Sequence, residues 1–246
     1  MSLFKTKGIV LRSTKYGETS VITSIYTELF GVQSYLINGV RVEQKKASSK
    51  ANLLQPAAIL DLVVYHQEQK NLQRVKDLKW DHLYQNIYFN IIKNAAALFA
   101  IELLQKTLKQ PEANPELFYF IENSFISLDE GDEWITANFP IFFALHLMHH
   151  YGFSLLHQEG NPQQYFDLAE AQFVEEHPIH PQFIAPPITQ YLLQILDTDA
   201  VEKIGAVKMS KEVRGYLLQS IQQFYQIHFS DFGTLKTLPI LKEVLS

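Results

Sequence analysis

Apolar and polar side chains alternate through residues 4–78, and from about Tyr84 onward the apolar ones recur every three or four positions. The first period predicts strands and the second helices. Phe4, Thr6, Ile9, Val10 and Leu11 open a strand that ends near Tyr16-Gly17. Val21, Thr23, Ile25 and Tyr26 make a second, followed by a turn at Glu28-Leu29-Phe30-Gly31. Val32, Ser34, Leu36 and Ile37 make a third, stopped by Asn38-Gly39, a dipeptide that accepts positive φ. In the fourth, Ile59, Asp61, Val63 and Tyr65 alternate against Leu60, Leu62 and Val64, and residues 72–78 form a shorter fifth. Five short strands closed by turns predict a small barrel, and among small barrels the five-stranded OB-fold is the topology expected.

The helical part begins with Ile87, Ile91, Ala95, Leu98 and Ile101 on one face and Ile92, Phe99 and Leu103 on another, as in the centre of a bundle. Asn114-Pro115-Glu116 reads as an N-cap followed by Pro at the first helical position. That second helix runs to about Leu128, and a third spans residues 133–151 before Gly152. Residues 154–187, with five prolines, read as irregular; residues 188–196 form a short helix. Ser210 opens a last long helix with Val213, Leu217, Ile221, Phe224 and His228 on one face. The fold class is therefore α+β and multidomain: an N-terminal OB-fold barrel, residues 1–80, followed by an α-helical domain, residues 81–246.

Charge changes at the same boundary. Residues 1–80 hold twelve of the 21 Lys and Arg but six of the 26 Asp and Glu, so +6 precedes −11. A basic module on an acidic body suggests a polyanion contact confined to one end. No apolar run exceeds seven positions, against the roughly 20 that span a bilayer. With no signal-peptide pattern at the N-terminus, a cytoplasmic protein without membrane contact is expected. The chain has no cysteine, which excludes disulfides, thiolate-ligated zinc, iron–sulfur clusters and cysteine nucleophiles. Phosphate-cradling glycine loops, the G-x-S-x-G elbow and H-E-x-x-H are all absent. An enzyme is not expected, nor is a cofactor.

The most informative segment is Gly39-Val-Arg41-Val-Glu-Gln-Lys45-Lys46-Ala-Ser48-Ser49-Lys50, a loop between strands with four cations and two hydroxyls. Such a loop can follow a phosphate backbone and release its counterions. Arg12 and Lys15 lie at the end of the first strand beside Tyr16, and Arg74, Lys76 and Lys79 lie on or near the last. Cations interleaved with an aromatic ring suit a single-strand surface that tolerates any sequence. The candidate DNA-binding residues are Arg12, Lys15, Tyr16, Arg41, Lys45, Lys46, Lys50, Arg74 and Lys76. The bland alternative is a solvated loop, with the barrel serving a non-catalytic interaction adaptor that does not bind DNA.

Histidines supply the only metal candidates. His146 shares a helix face with His149 or His150, and His177 and His180 form a second pair with His157 upstream. No helix-borne acid stands beside them, and the rings of His177 and His180 are expected to bond local carbonyls in a turn. No metal site is expected. A metal-dependent hydrolase using these residues is the third and weakest reading.

Taken in order, Lys7-Gly-Ile-Val-Leu-Arg12, Tyr16-Gly-Glu18, Tyr26-Thr-Glu-Leu-Phe-Gly31, Gly39-Val-Arg41 and Leu54-Gln55-Pro56 resemble the bacterial DNA repair protein RecO family. The C-terminal Phe224-Tyr225 to His228, then Leu235-Lys-Thr-Leu238, is similar to that family's ending. The resemblance implies an OB-fold with a helical C-terminal domain, and a role in DNA repair and homologous recombination as a mediator. It implies binding of single- and double-stranded DNA, annealing of complementary strands, and partnership with RecR. It also implies contact with the acidic, hydrophobic C-terminal tail of single-strand binding protein, and help in loading RecA onto DNA coated by that protein. Many members carry a four-cysteine zinc site where this chain, between residues 152 and 181, has no cysteine.

Overall fold

The computed structural model describes residues 2–40, 51–108, 112–153, 155 and 164–245. Two compact units divide the chain: residues 1–85 with 104–126, and residues 86–103 with 127–246.

The first unit is built on β1 (Ser2–Tyr16), β2 (Ser20–Thr27), β3 (Gly31–Ile37), β4 (Ile59–His66) and β5 (Leu72–His82). They close into a barrel in the order β1-β2-β3-β5-β4, with β3 and β5 parallel and the other pairs antiparallel. This is the order of an OB-fold. β1 is long enough to pair twice, with β4 through Ile9 and with β2 from Gly8, and a bulge between Val10 and Arg12 bends it between the two. Gly8 sits in that crossover. A Cβ there would lie 2.6 Å from Ile25 Cγ2 and 2.7 Å from Leu62 Cδ1, so the barrel wall closes only over glycine.

Inward positions form the barrel core: Val10, Val21, Ile25, Tyr35, Ile37, Leu60, Leu62 and Val64, with Leu53 and Leu54 packed against them. Each such aliphatic side chain contributes about 1.5–3 kcal/mol relative to exposure. β5 runs four residues beyond the predicted end at Leu78, because its register against β4 continues to Trp80 and His82. Within this unit Gln105 donates to the Leu11 carbonyl at 2.6 Å, and the Tyr26 hydroxyl donates to that of Asn114 at 3.2 Å.

Helix α1 spans Ile91–Thr107 and α2 spans Pro115–Glu130. The predicted start of α1 near residue 84 is too early. Asn90 caps it instead, its Oδ1 accepting from Ile92 N at 2.9 Å and Lys93 N at 3.1 Å. Asn114 caps α2 as expected, accepting from Leu117 N at 3.0 Å.

In the second unit α3 (Glu133–His150) buries Phe139, Ile141, Phe142, Phe143, Leu145, Leu147 and Met148. It ends at Gly152, whose φ is +85°. α4 (Thr189–Leu196), a 3₁₀ helix (Val201–Ala206), α5 (Lys211–His228) and α6 (Thr237–Val244) follow. Ser210 caps α5 by accepting from Val213 N.

The segment read as irregular contains a small sheet: β6 (Tyr165–Asp167), β7 (Gln172–Val174) and β8 (Phe183–Ile184), in the order β7-β6-β8. Strands of two or three residues are too short to display an alternating period. Phe166 anchors this sheet, with its ring 4.8 Å from Phe173 and 6.2 Å from Phe224.

Candidate nucleic-acid interface

The outer barrel face is built by the residues that alternate with the core. On β2 Ile22 and Ser24 are half-exposed while Val21, Thr23 and Ile25 are buried. Register then sets two rows across strands. Arg12, Ser24, Ser34 and Leu72 stand side by side in the first, and Thr14, Ile22, Leu36, Arg74 and Tyr65 in the second. Tyr16, 53% exposed, ends β1 opposite Ser20. Arg12, Tyr16 and Arg74 therefore share a surface that also offers apolar side chains and hydroxyls.

Lys15 is placed otherwise. Its partner is the inward residue Val21, which puts it on the opposite face of β1 from Arg12 and Tyr16. Lys76 is exposed at the irregularity in β5 where the register against Val63 and Val64 shifts. Arg41, Lys45, Lys46 and Lys50 lie outside the described residues. The residues flanking them are held at the β1–β2 end of the barrel. Val40 N donates to the Thr19 carbonyl at 2.9 Å, and the Ser13 hydroxyl to that of Leu54 at 2.8 Å.

Charge on this unit is unevenly available. Lys7 bridges Asp81 at 3.0 Å and Glu122 at 2.8 Å, and these acids hold its amine above its ordinary range despite burial. Lys79 pairs with Asp61 at 3.1 Å. Among the described residues Arg12, Lys15, Arg74 and Lys76 have no carboxylate at salt-bridge distance. Among the described residues the cations without carboxylates thus include Arg12 and Lys15 on β1 and Arg74 and Lys76 on β5, whereas Lys7 is neutralised. Ser24, Ser34, Leu36 and Tyr65 were not among the predicted contacts, although their outward phase is readable from the alternation.

Two family descriptions match this chain, "Recombination protein O N terminal" over residues 1–84 and "Recombination protein O C terminal" over residues 88–237. The chain belongs to the RecO family. Proteins named DNA repair protein RecO are similar to it along nearly their whole length. That of Bacteroides fragilis is 32% identical, covering 98% of this chain and 99% of the relative. That of Phocaeicola vulgatus is 30% identical over 99% and 100%, and that of Porphyromonas gingivalis 30% over 96% of each. Membership of the RecO family supports a role in DNA repair and recombination.

The zinc site of many RecO proteins does not fit the residues present. No cysteine exists, and no cluster of three or more potential ligands occurs among the described residues. His177 Nδ1 lies 2.7 Å from the Pro178 carbonyl, as a local turn predicts. His180 departs from that expectation, with Nε2 3.0 Å from Asp167 Oδ2. His146 stacks on Phe142, and burial lowers its pKa although two carbonyls lie within hydrogen-bond distance. His157 is outside the described residues.

The second unit holds a cavity of about 740 Å³ lined by Ile92, Lys93, Trp134, Met209, Arg214 and Leu245 among others. Arg214 is 5% exposed, and among the described residues its Nε has no hydrogen-bond partner and its guanidinium no carboxylate at salt-bridge distance. Its nearest acceptors, Asn138 Oδ1 and the Met209 carbonyl, are 3.4 and 3.5 Å from Nη2. A buried guanidinium without a counter-ion is costly and favours an incoming anion. No helix among the described residues is long and apolar enough to cross a membrane.

Proposed function

We propose that this chain is a non-enzymatic recombination mediator that binds single- and double-stranded DNA and anneals complementary strands. With RecR it helps load RecA onto DNA coated by single-strand binding protein. Residues 1–80 carry the nucleic acid and residues 81–246 carry protein partners. The observation that supports this most is the outer barrel face, where Arg12 and Arg74 stand without carboxylates, among the described residues, beside half-exposed apolar positions. Nucleic acid needs both features, because cations replace condensed counterions and apolar faces receive bases. The cavity beside the uncompensated Arg214 favours the acidic, hydrophobic tail of single-strand binding protein as an occupant of the helical unit. Arg41, Lys45, Lys46 and Lys50 extend the footprint along the basic loop.

The test is a fluorescence-anisotropy titration of the full chain with an oligothymidine at several salt concentrations. Binding that weakens linearly on a log–log salt plot is the expected result. Absence of binding at low salt, or affinity indifferent to salt, overturns the reading in favour of an adaptor whose barrel does not bind DNA.

A further inference from the structure

We infer that Tyr65, with Arg74 beside it, is a nucleobase-stacking site at the β4–β5 end of the barrel. This inference rests on the reading that the barrel binds single strands, and it adds where a base is held.

Tyr65 stands directly between Leu3 on β1 and Arg74 on β5, and Arg74 in turn faces Leu36 on β3. Directly opposed positions place Cβ atoms about 4.5–5.5 Å apart, within reach of one nucleotide. The Tyr65 ring is half-buried, and among the described residues neither ring nor hydroxyl has a partner. Leu3 is 47% and Leu72 38% exposed on the same outer face. An unpartnered ring flanked by exposed aliphatic side chains and an unpaired guanidinium offers a surface for a base and a cation for its phosphate. Lys5, two positions from Leu3, adds a second exposed cation. Asp61 and Asp77 lie farther along the outer face and limit the strand's path on that side.

The loop joining these strands is set in advance. Gln73 is 1% exposed, and its amide accepts from Gln67 N at 3.1 Å. It also donates to the carbonyls of Gln67 at 2.8 Å and Lys70 at 2.6 Å. These bonds fix the turn between Tyr65 and Arg74, so little ordering entropy opposes stacking. Loops between the fourth and fifth strands are a recurrent part of OB-fold ligand surfaces. Positive charge beside a half-buried aromatic ring without a partner among the described residues favours a single strand over a protein partner here.

The experiment compares Tyr65→Ala, Tyr65→Leu and Tyr65→Phe in the full chain, each titrated with an oligothymidine and with a blunt duplex of equal length. Tyr65→Ala and Tyr65→Leu are expected to weaken single-strand binding about five- to a hundredfold. Tyr65→Phe should stay within about twofold, because stacking needs the ring and not the hydroxyl. Duplex affinity should change less than about twofold, since paired bases are already stacked, and the salt slope should not move because no phosphate contact is lost. Tyr65→Leu keeps apolar bulk in the barrel wall, so it remains informative if the alanine variant unfolds. Unchanged single-strand affinity, or equal losses on single strand and duplex, overturns the assignment while wild-type binding leaves the mediator reading standing. Failure of the wild-type chain to bind either DNA overturns both.

Discussion

Replacing Arg12, Arg74 and Lys76 together by Gln is expected to weaken single-strand binding about a hundredfold at about 0.1 M salt. Each neutralised phosphate contributes about 0.7 to the log–log slope on single strands, so three contacts remove about 2 units of slope. All three cations are exposed and lack carboxylates among the described residues, so little of the loss is offset by repairing an internal ion pair. Lys79→Gln is the control. Its amine is engaged with Asp61 at 3.1 Å, and its loss should alter the slope by less than the mean of the three. The fold should survive, because exposed surface substitutions seldom cost more than about 0.5 kcal/mol. Titrations across salt, with melting curves in parallel, measure both quantities. An unchanged slope in the triple variant would place the footprint elsewhere.

Asp129→Ala is expected to lower the stability of the helical unit by about 3–5 kcal/mol. Asp129 is buried, and its Oδ1 accepts from Asn86 N at 2.8 Å and from Ile87 N at 2.7 Å. Removing that oxygen strands two backbone donors, at a cost of about 1–3 kcal/mol for each one that stays buried. It also removes the nearest charge from Lys93, whose buried amine donates to the Asp129 carbonyl at 2.6 Å. Asp129→Asn keeps an acceptor and should cost less.

The pH dependence adds a sign. Burial holds the Lys93 pKa below its ordinary value even with Asp129 and Asp132 nearby, so the folded chain releases this proton before the unfolded chain does. Stability therefore rises as pH climbs from the folded pKa toward 10.5. Asp129→Ala lowers the folded pKa further, so the electrostatic part of its deficit should narrow as pH rises to the wild-type folded pKa and vanish above it. Denaturant unfolding followed by Trp134 fluorescence in a Trp80→Phe background reports this unit alone. A loss below about 1 kcal/mol would mean that water replaces the carboxylate.

How much of this was legible in the sequence varies with the distance over which each feature is determined. The barrel strands were readable because period-two alternation is local: Tyr65 already stood out of phase with Leu60, Leu62 and Val64. Caps at Asn114 and Ser210 were readable for the same reason. The pairing of Lys7 with Glu122, 115 positions away, was not, so the count of +6 overstated the charge free to meet DNA. Adjacency in sequence groups Lys15 with Tyr16, yet adjacent strand residues face opposite ways. The small sheet at residues 165–184 escaped because its strands are shorter than one readable period. Nothing local marks Arg214, in the first turn of α5, as buried, yet packing leaves it 5% exposed. Long basic side chains usually reach solvent, and local sequence does not say when one fails to.

Nucleic acid is expected to lie on the outer barrel face. Ultraviolet crosslinking of the full chain to an oligothymidine, followed by mass spectrometry of the adducts, tests it most directly. Adducts are expected on Arg12, Tyr16, Ile22, Ser24, Leu36, Tyr65 and Arg74, outward residues of strands whose alternate positions fill the barrel core. Adducts confined to residues 127–245, with none on the strands, would contradict it.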